Sequence, residues 1–157
     1  MDEKILFLGC GIPAYKCLEF MIKRDMNIIS IIESSAESTT ESPLEALAKD
    51  NFMRVFKPSS LATDKWIRKV KYMKTDFIIA VNYTNPIPEE IYSEASTGAY
   101  FIEGIPNELT DTPPTITLKA FSETSPCPTI SVVAESSTPE SIAEATVKIL
   151  ESFFETF

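Results

Sequence analysis

KILFLGCGIPAYKCLEFMI, Lys4 to Ile22, decides the fold. Beyond its first residue, the segment Lys4 to Leu8 shows no polar alternation, the mark of a strand buried on both faces. Gly9, Cys10 and Gly11 make a tight turn, and Ala14, Cys17, Leu18, Met21 and Ile22 then recur at helical spacing on one face. A buried strand that turns directly into an amphipathic helix is the first half of a β-α-β unit, and such units build parallel sheets.

The rest of the chain repeats that grammar. Asn27 to Ile32 (NIISII) reads as a second strand. The polar run Glu33 to Ser42 reads as a loop, with Ser42 as N-cap and Pro43 at the first position of a short helix ending near Asp50. Arg54 to Phe56 is a brief strand, Thr63 to Lys74 a helix and Asp76 to Val81 (DFIIAV) another buried strand. Pro88 to Ala95 is a short helix and Ala99 to Ile102 a strand. Thr115 to Phe121 and Thr129 to Ala134 are rich in β-branched residues and read as strands. A last helix starts at Thr138 as N-cap, with Pro139 next and Glu140 set against the helix dipole. Its stripe of Ile142, Thr146, Ile149, Leu150, Phe153 and Phe154 covers the sheet, while Phe154 and Phe157 are either core or part of a subunit contact. Non-alternating strands joined by helices predict an α/β fold: one doubly wound, mostly parallel sheet of Rossmann type, with helices on both faces. With 157 residues, 44% of them hydrophobic, no internal repeat and no linker, the chain is expected to be a single domain, 1–157.

Charge and composition exclude several classes of function. Twenty-three acidic against fourteen basic residues give a net charge of −9, which argues against nucleic acid or an anionic membrane as partner. Lys65, Arg68, Lys69, Lys71 and Lys74 cluster in sequence but spread around one helix, as a solvated face does. No apolar run is long enough to cross a bilayer, and a cytoplasmic protein is expected. Three Cys, at 10, 17 and 127, have no spacing of a disulfide framework or metal cluster. The chain contains no His, so imidazole acid-base catalysis, Ser-His or Cys-His pairs and His-based zinc sites are all excluded.

Two stretches carry candidate chemistry. Gly9-Cys10-Gly11-Ile12-Pro13-Ala14 follows a strand and opens a helix, with Glu33 at the end of the next strand. This is a shortened dinucleotide fingerprint, in which Gly9 and Gly11 admit a pyrophosphate and Glu33 holds a ribose. Pro13 and the long loop after Glu33 weaken it, and glycines at this turn also serve packing alone.

The second stretch belongs to a wider pattern. KILFLGCGIPAYKCLEFMI, VFKPSSL (Val55 to Leu61), DFIIAVNYTNPIPEEI (Asp76 to Ile91) and GAYFI (Gly98 to Ile102), in that order and spacing, resemble the folate-dependent formyltransferases. That family includes methionyl-tRNA, glycinamide ribonucleotide and sugar-nucleotide formyltransferases. The resemblance implies the same doubly wound fold. It also implies a pterin pocket at Val81, Asn82, Tyr83, Thr84, Asn85 and Ile87, and hence tetrahydrofolate or its 10-formyl form as ligand. The family pattern G-x-x-N-x-H-x-S-L-L-P, laid on Gly98, puts its Asn on Phe101 and its His on Glu103, while Ile105 and Pro106 stand where Ser and Leu would be. The family's catalytic Asp falls on or beside Pro126, and Pro114 leads straight into a strand with no room for the helix that family members carry there.

Formyl transfer needs a donor for the developing oxyanion and a group that moves protons near neutral pH. Phe101 supplies neither. Glu103 would serve as a base only if burial raised its pKa, with Glu108 or Asp111 as partner, and an ionised carboxylate repels an oxyanion. Asn82 and Tyr83 are the best polar candidates near the implied pocket. The expectation is therefore a formyltransferase-like domain without the catalytic Asn, His and Asp, acting as a small-molecule-binding or interaction module. An enzyme with rearranged carboxylate chemistry centred on Glu103 and a dinucleotide-binding protein are the alternatives. A small molecule, a protein partner or a second copy in a homodimer are the expected partners.

Overall fold

A computed structural model of the chain describes residues 2–34, 40–106, 111–122 and 126–156. Along the chain run β1 (Ile5–Gly9), α1 (Gly11–Lys23), β2 (Ile28–Glu33), α2 (Pro43–Asp50), β3 (Val55–Phe56), α3 (Asp64–Met73), β4 (Phe77–Val81), α4 (Glu89–Tyr92), β5 (Gly98–Glu103), β6 (Thr115–Ala120), β7 (Ser131–Val133) and α5 (Pro139–Glu155). The seven strands form one sheet in the order β3-β2-β1-β4-β5-β6-β7. The first five are parallel, and β6 and β7 are antiparallel to their neighbours. The change of direction falls where no helix intervenes: the described residues between β5 and β6 and between β6 and β7 are not helical, and antiparallel pairing needs no crossover.

Alternate residues of β1 to β5 feed two cores. Ile5, Phe7, Ile31, Phe77, Ile79, Tyr100 and Ile102 face α1, α2 and α5. Leu6, Leu8, Ile32, Ile78, Ala80 and Ala99 face Trp66 and Val70 of α3 and Ile91 of α4. Both β1 and β4 are buried along their whole length, which is why neither alternates in sequence. The stripe predicted for α5 is buried as a unit. Phe153 stacks edge-on with Phe77 at 5.9 Å and lies 4.7 Å from Tyr100 between ring centroids. Phe154 is a core residue, whereas Phe157 lies outside the described residues.

The helix starts follow their local chemistry. Ser42 forms a full capping box: its Oγ accepts from the Glu45 amide at 3.1 Å, and Glu45 Oε1 accepts from the Ser42 amide at 3.3 Å. Thr63 and Thr138 cap α3 and α5 through the amides of Trp66 and Ser141. The basic cluster on α3 is mostly solvated, but Lys69 lies 3.8 Å above the Phe56 ring and 4.7 Å above that of Trp66. Several element ends differ from the sequence expectation by a residue or two, and β7 keeps only three residues of the expected Thr129 to Ala134. Strand β2 runs on through Glu33, because that residue pairs with Gly9 in the ladder, so the polar loop starts later than composition implies. Helix α4 is a single turn, shorter than the predicted Pro88 to Ala95.

Helix α2 ends in a Schellman motif: the Phe52 amide donates to Lys49 O at 3.1 Å and the Met53 amide to Ala48 O at 2.8 Å. The left-handed position that usually holds glycine is Phe52, with φ +59° and a fully exposed ring. A bulky residue there carries the left-handed penalty with no burial to offset it. Phe52→Gly is expected to stabilise the fold by about 0.5–1 kcal/mol, after the larger unfolded-state entropy of glycine is deducted, read as a higher urea midpoint at unchanged slope.

Candidate functional site

The chain leaves β1 toward one side of the sheet and β4 toward the other, so the neighbouring ends of these strands form the switch point where α/β folds take ligands. Hydrogen bonds close that point. The Cys10 amide donates to Val81 O at 3.3 Å, Asn82 Nδ2 to Cys10 O at 3.0 Å and the Ser34 amide to Gly9 O at 3.3 Å. Asn82 holds a left-handed backbone (φ +57°), which turns its amide back across the gap. The Thr84 amide donates to Ser34 Oγ at 3.1 Å and ties the β4 exit to β2.

The glycines predicted to admit a pyrophosphate divide in role. A methyl on Gly9 would stand 2.6 Å from Ala14 Cβ and 2.8 Å from Val81 O, so Gly9 serves the contact between helix and strand. Gly11 has φ +78° and lines a cleft of about 750 Å³ with Cys10, Ile12, Tyr15, Lys16, Glu33, Ser34, Leu44, Lys57 and Glu140. Pro13 removes one of the first amide donors of α1.

Glu33, expected to hold a ribose, is 4% exposed and already engaged. Its Oε1 accepts from Ser42 Oγ at 2.9 Å and pairs with Lys57 Nζ at 3.5 Å. Lys57 also pairs with Glu45, so one ammonium joins the end of β2, the exit of β3 and the first turn of α2. Nothing in the sequence reading singled out Lys57, Ser34 or the second role of Ser42; the signal is that an acid closing a buried strand requires a cation within reach.

The residues implied to form a pterin pocket come together only in part. Asn82, Tyr83, Asn85 and Ile87 line a space of about 160 Å³ with Phe101 and Phe121. Val81 points into the core on the other face, and Thr84 is exposed. Phe101 packs on Phe121 with centroids 4.8 Å apart, and Phe121 stacks on Tyr92 at 5.1 Å with ring planes 16° apart. The Tyr83 hydroxyl is buried without a hydrogen-bond partner among the described residues. Burial pushes its pKa up, and Asn85 offsets part of that rise from a position short of hydrogen-bond geometry.

Glu103 is exposed at the end of β5, opposite Thr117. Asp111 is exposed, and Glu108 lies outside the described residues. Gly98 is the glycine that Tyr100 requires, since a methyl there would stand 2.6 Å from the Tyr100 hydroxyl. That hydroxyl donates to Pro126 O at 2.8 Å, so a phenol-to-backbone bond occupies the place where the resemblance sets an Asp. Of the cysteines, Cys17 is buried in the core with its pKa pushed up by desolvation, Cys10 borders the cleft and Cys127 is exposed. Among the described residues no group of acids and thiols is arranged to hold a metal, and no helix is long and apolar enough to cross a membrane.

Sheet order, helix placement and the switch-point cleft define an α/β protein of the formyltransferase-like fold, as the sequence resemblance implied. A methionyl-tRNA formyltransferase of Clostridioides difficile is 27% identical over 94 residues, a match spanning 56% of this chain and 30% of that protein. Among solved structures, a phosphoribosylglycinamide formyltransferase of Campylobacter jejuni superposes with a TM-score of 0.68 at 12% identity, over 99% of this chain and 97% of the other. A formyltetrahydrofolate deformylase of Pseudomonas syringae gives 0.66 at 11% identity, over 98% of this chain and 60% of the other. No family model matches the chain.

The ion pair at the cleft has a pH signature. The hydrogen bond from Lys57 is the first cause holding Glu45 below its ordinary 4.5, and the bond to Glu45 is the first cause holding Lys57 above 10.5. A depressed acid contributes its stability above its ordinary value and loses it as pH falls through the folded one; a raised base contributes below its ordinary value and loses it as pH rises. The stability difference between wild type and Lys57→Met is therefore expected to be flat between pH 4.5 and 10.5 and to shrink on both sides. Urea midpoints measured across that range check it.

Proposed function

We propose that the chain is a formyltransferase-like domain that binds a small molecule in its switch-point cleft and does not transfer a formyl group. One observation carries this: Phe101, at the position the resemblance assigns to the catalytic Asn, is packed against Phe121. A ring in that place donates no hydrogen bond to an oxyanion, and donors aimed at developing charge are commonly the largest single contribution to acyl-transfer catalysis. The stacked rings also leave about 160 Å³ beside Asn82 and Tyr83, below the roughly 300 Å³ at which small-molecule pockets begin.

Glu103 adds nothing that offsets this. A carboxylate repels an oxyanion when ionised, and Glu103 lies exposed at the end of β5. The larger cleft, by contrast, has the volume and mixed lining of a ligand site. The test is to incubate the purified chain with 10-formyltetrahydrofolate and primary amines and to follow both formyl transfer and formyl hydrolysis. No rate above the uncatalysed one is expected. Turnover that Glu103→Ala abolishes would overturn the proposal in favour of carboxylate chemistry.

A further inference from the structure

The charges around the switch-point cleft say what kind of molecule suits it, given the proposal above that the cleft is a ligand site. Three carboxylates line it, from Glu33, Glu41 and Glu140, against two lysines, Lys16 and Lys57. Lys57 is held between Glu33 and Glu45, and Lys16 lies 4.0 Å from Glu19. Glu41 pairs with Lys49 at 3.7 Å, while Glu140 meets no ion-pair partner among the described residues.

The devices that bind anions are few. The start of α2 is satisfied by its own capping box. At the start of α1, Cys10 adds no side-chain cap and Pro13 no N–H, so the amides of Gly11 and Ile12 are the donors this helix start has left for an anion. An incoming phosphate or carboxylate would meet three acids and, among the described residues, no lysine without an acidic neighbour, whereas an incoming cation finds a carboxylate in Glu140; the Tyr15 ring in the same lining already has Lys16 Nζ 5.7 Å from its centroid. Ile12, 45% exposed at the mouth, and Leu44 supply an apolar wall.

We infer that the cleft takes an organic cation with an apolar or aromatic body, and that Glu140 selects its charge. Probes of one shape and three charges test this: benzamidine, benzamide and benzoate, titrated into the full chain while the amide resonances of Ile12, Tyr15 and Leu44 are followed. Benzamidine is expected to bind roughly tenfold more tightly than benzoate, the order of effect a carboxylate at short range gives in a half-exposed site. Glu140→Gln, a change in an exposed first turn, should remove most of that preference without disturbing the fold, and added salt should weaken benzamidine selectively.

Benzoate shifting the same resonances at equal or lower concentration would overturn the cation inference and leave the cleft as a ligand site. If none of the three probes shifts them, both the inference and the cleft proposal fall. A charge preference that survives Glu140→Gln would remove Glu140 from its role as selector.

Discussion

A methyl group at residue 9 would stand 2.6 Å from Ala14 Cβ and 2.8 Å from Val81 O, and the carboxyl edge of the sheet depends on its absence. With glycine there, α1 lies directly against the end of β1, and the Cys10 amide reaches Val81 O. The ends of β1 and β4 consequently stay in register where the winding reverses. Ser34 then bonds Gly9 O and Thr84 bonds Ser34, so three strand exits share one set of hydrogen bonds. The cleft opens beside this closed seam.

The same end of the sheet shows how a buried charge is accommodated. Glu33 is almost wholly removed from water, a costly position for an ionised group unless it is paired and hydrogen-bonded. Ser42 and Lys57 meet that requirement, and Glu45 shares Lys57. Because Ser42 also caps α2, the helix start and the strand end are fixed by one hydroxyl. The acid that reads in sequence as part of a dinucleotide motif thus also joins the strand end to the helix start.

How much of this is legible in the sequence follows from the range of each interaction. The buried strands Ile5 to Leu8 and Phe77 to Val81 are unmistakable, because apolar runs flanked by turns have few other solutions. Helix starts at Ser42, Thr63 and Thr138 are local and equally plain, and the family resemblance rests on segments of this kind. The pairing of Phe101 with Phe121 is not legible, since it joins two strands through an antiparallel return that no local pattern announces. Lys57 is hidden for the same reason: it follows a two-residue strand, and its partners are 12 and 24 positions away. The fate of Glu103 can be read early, because the last residue of a strand running into Gly104 and a turn is ordinarily solvated.

The outermost strands are the shortest in the sheet. β3 offers two residues and β7 three. A strand added from another chain would gain only a few ladder bonds at either rim before the backbone turns away, too few to repay the ordering of its own residues. The continuous apolar runs needed for burial in the middle of this sheet are the same runs that, at an edge, would nucleate cross-β aggregation. By keeping them at β1 and β4 and ending the sheet in stubs, the fold confines its most association-prone sequence to positions where both neighbours are already taken.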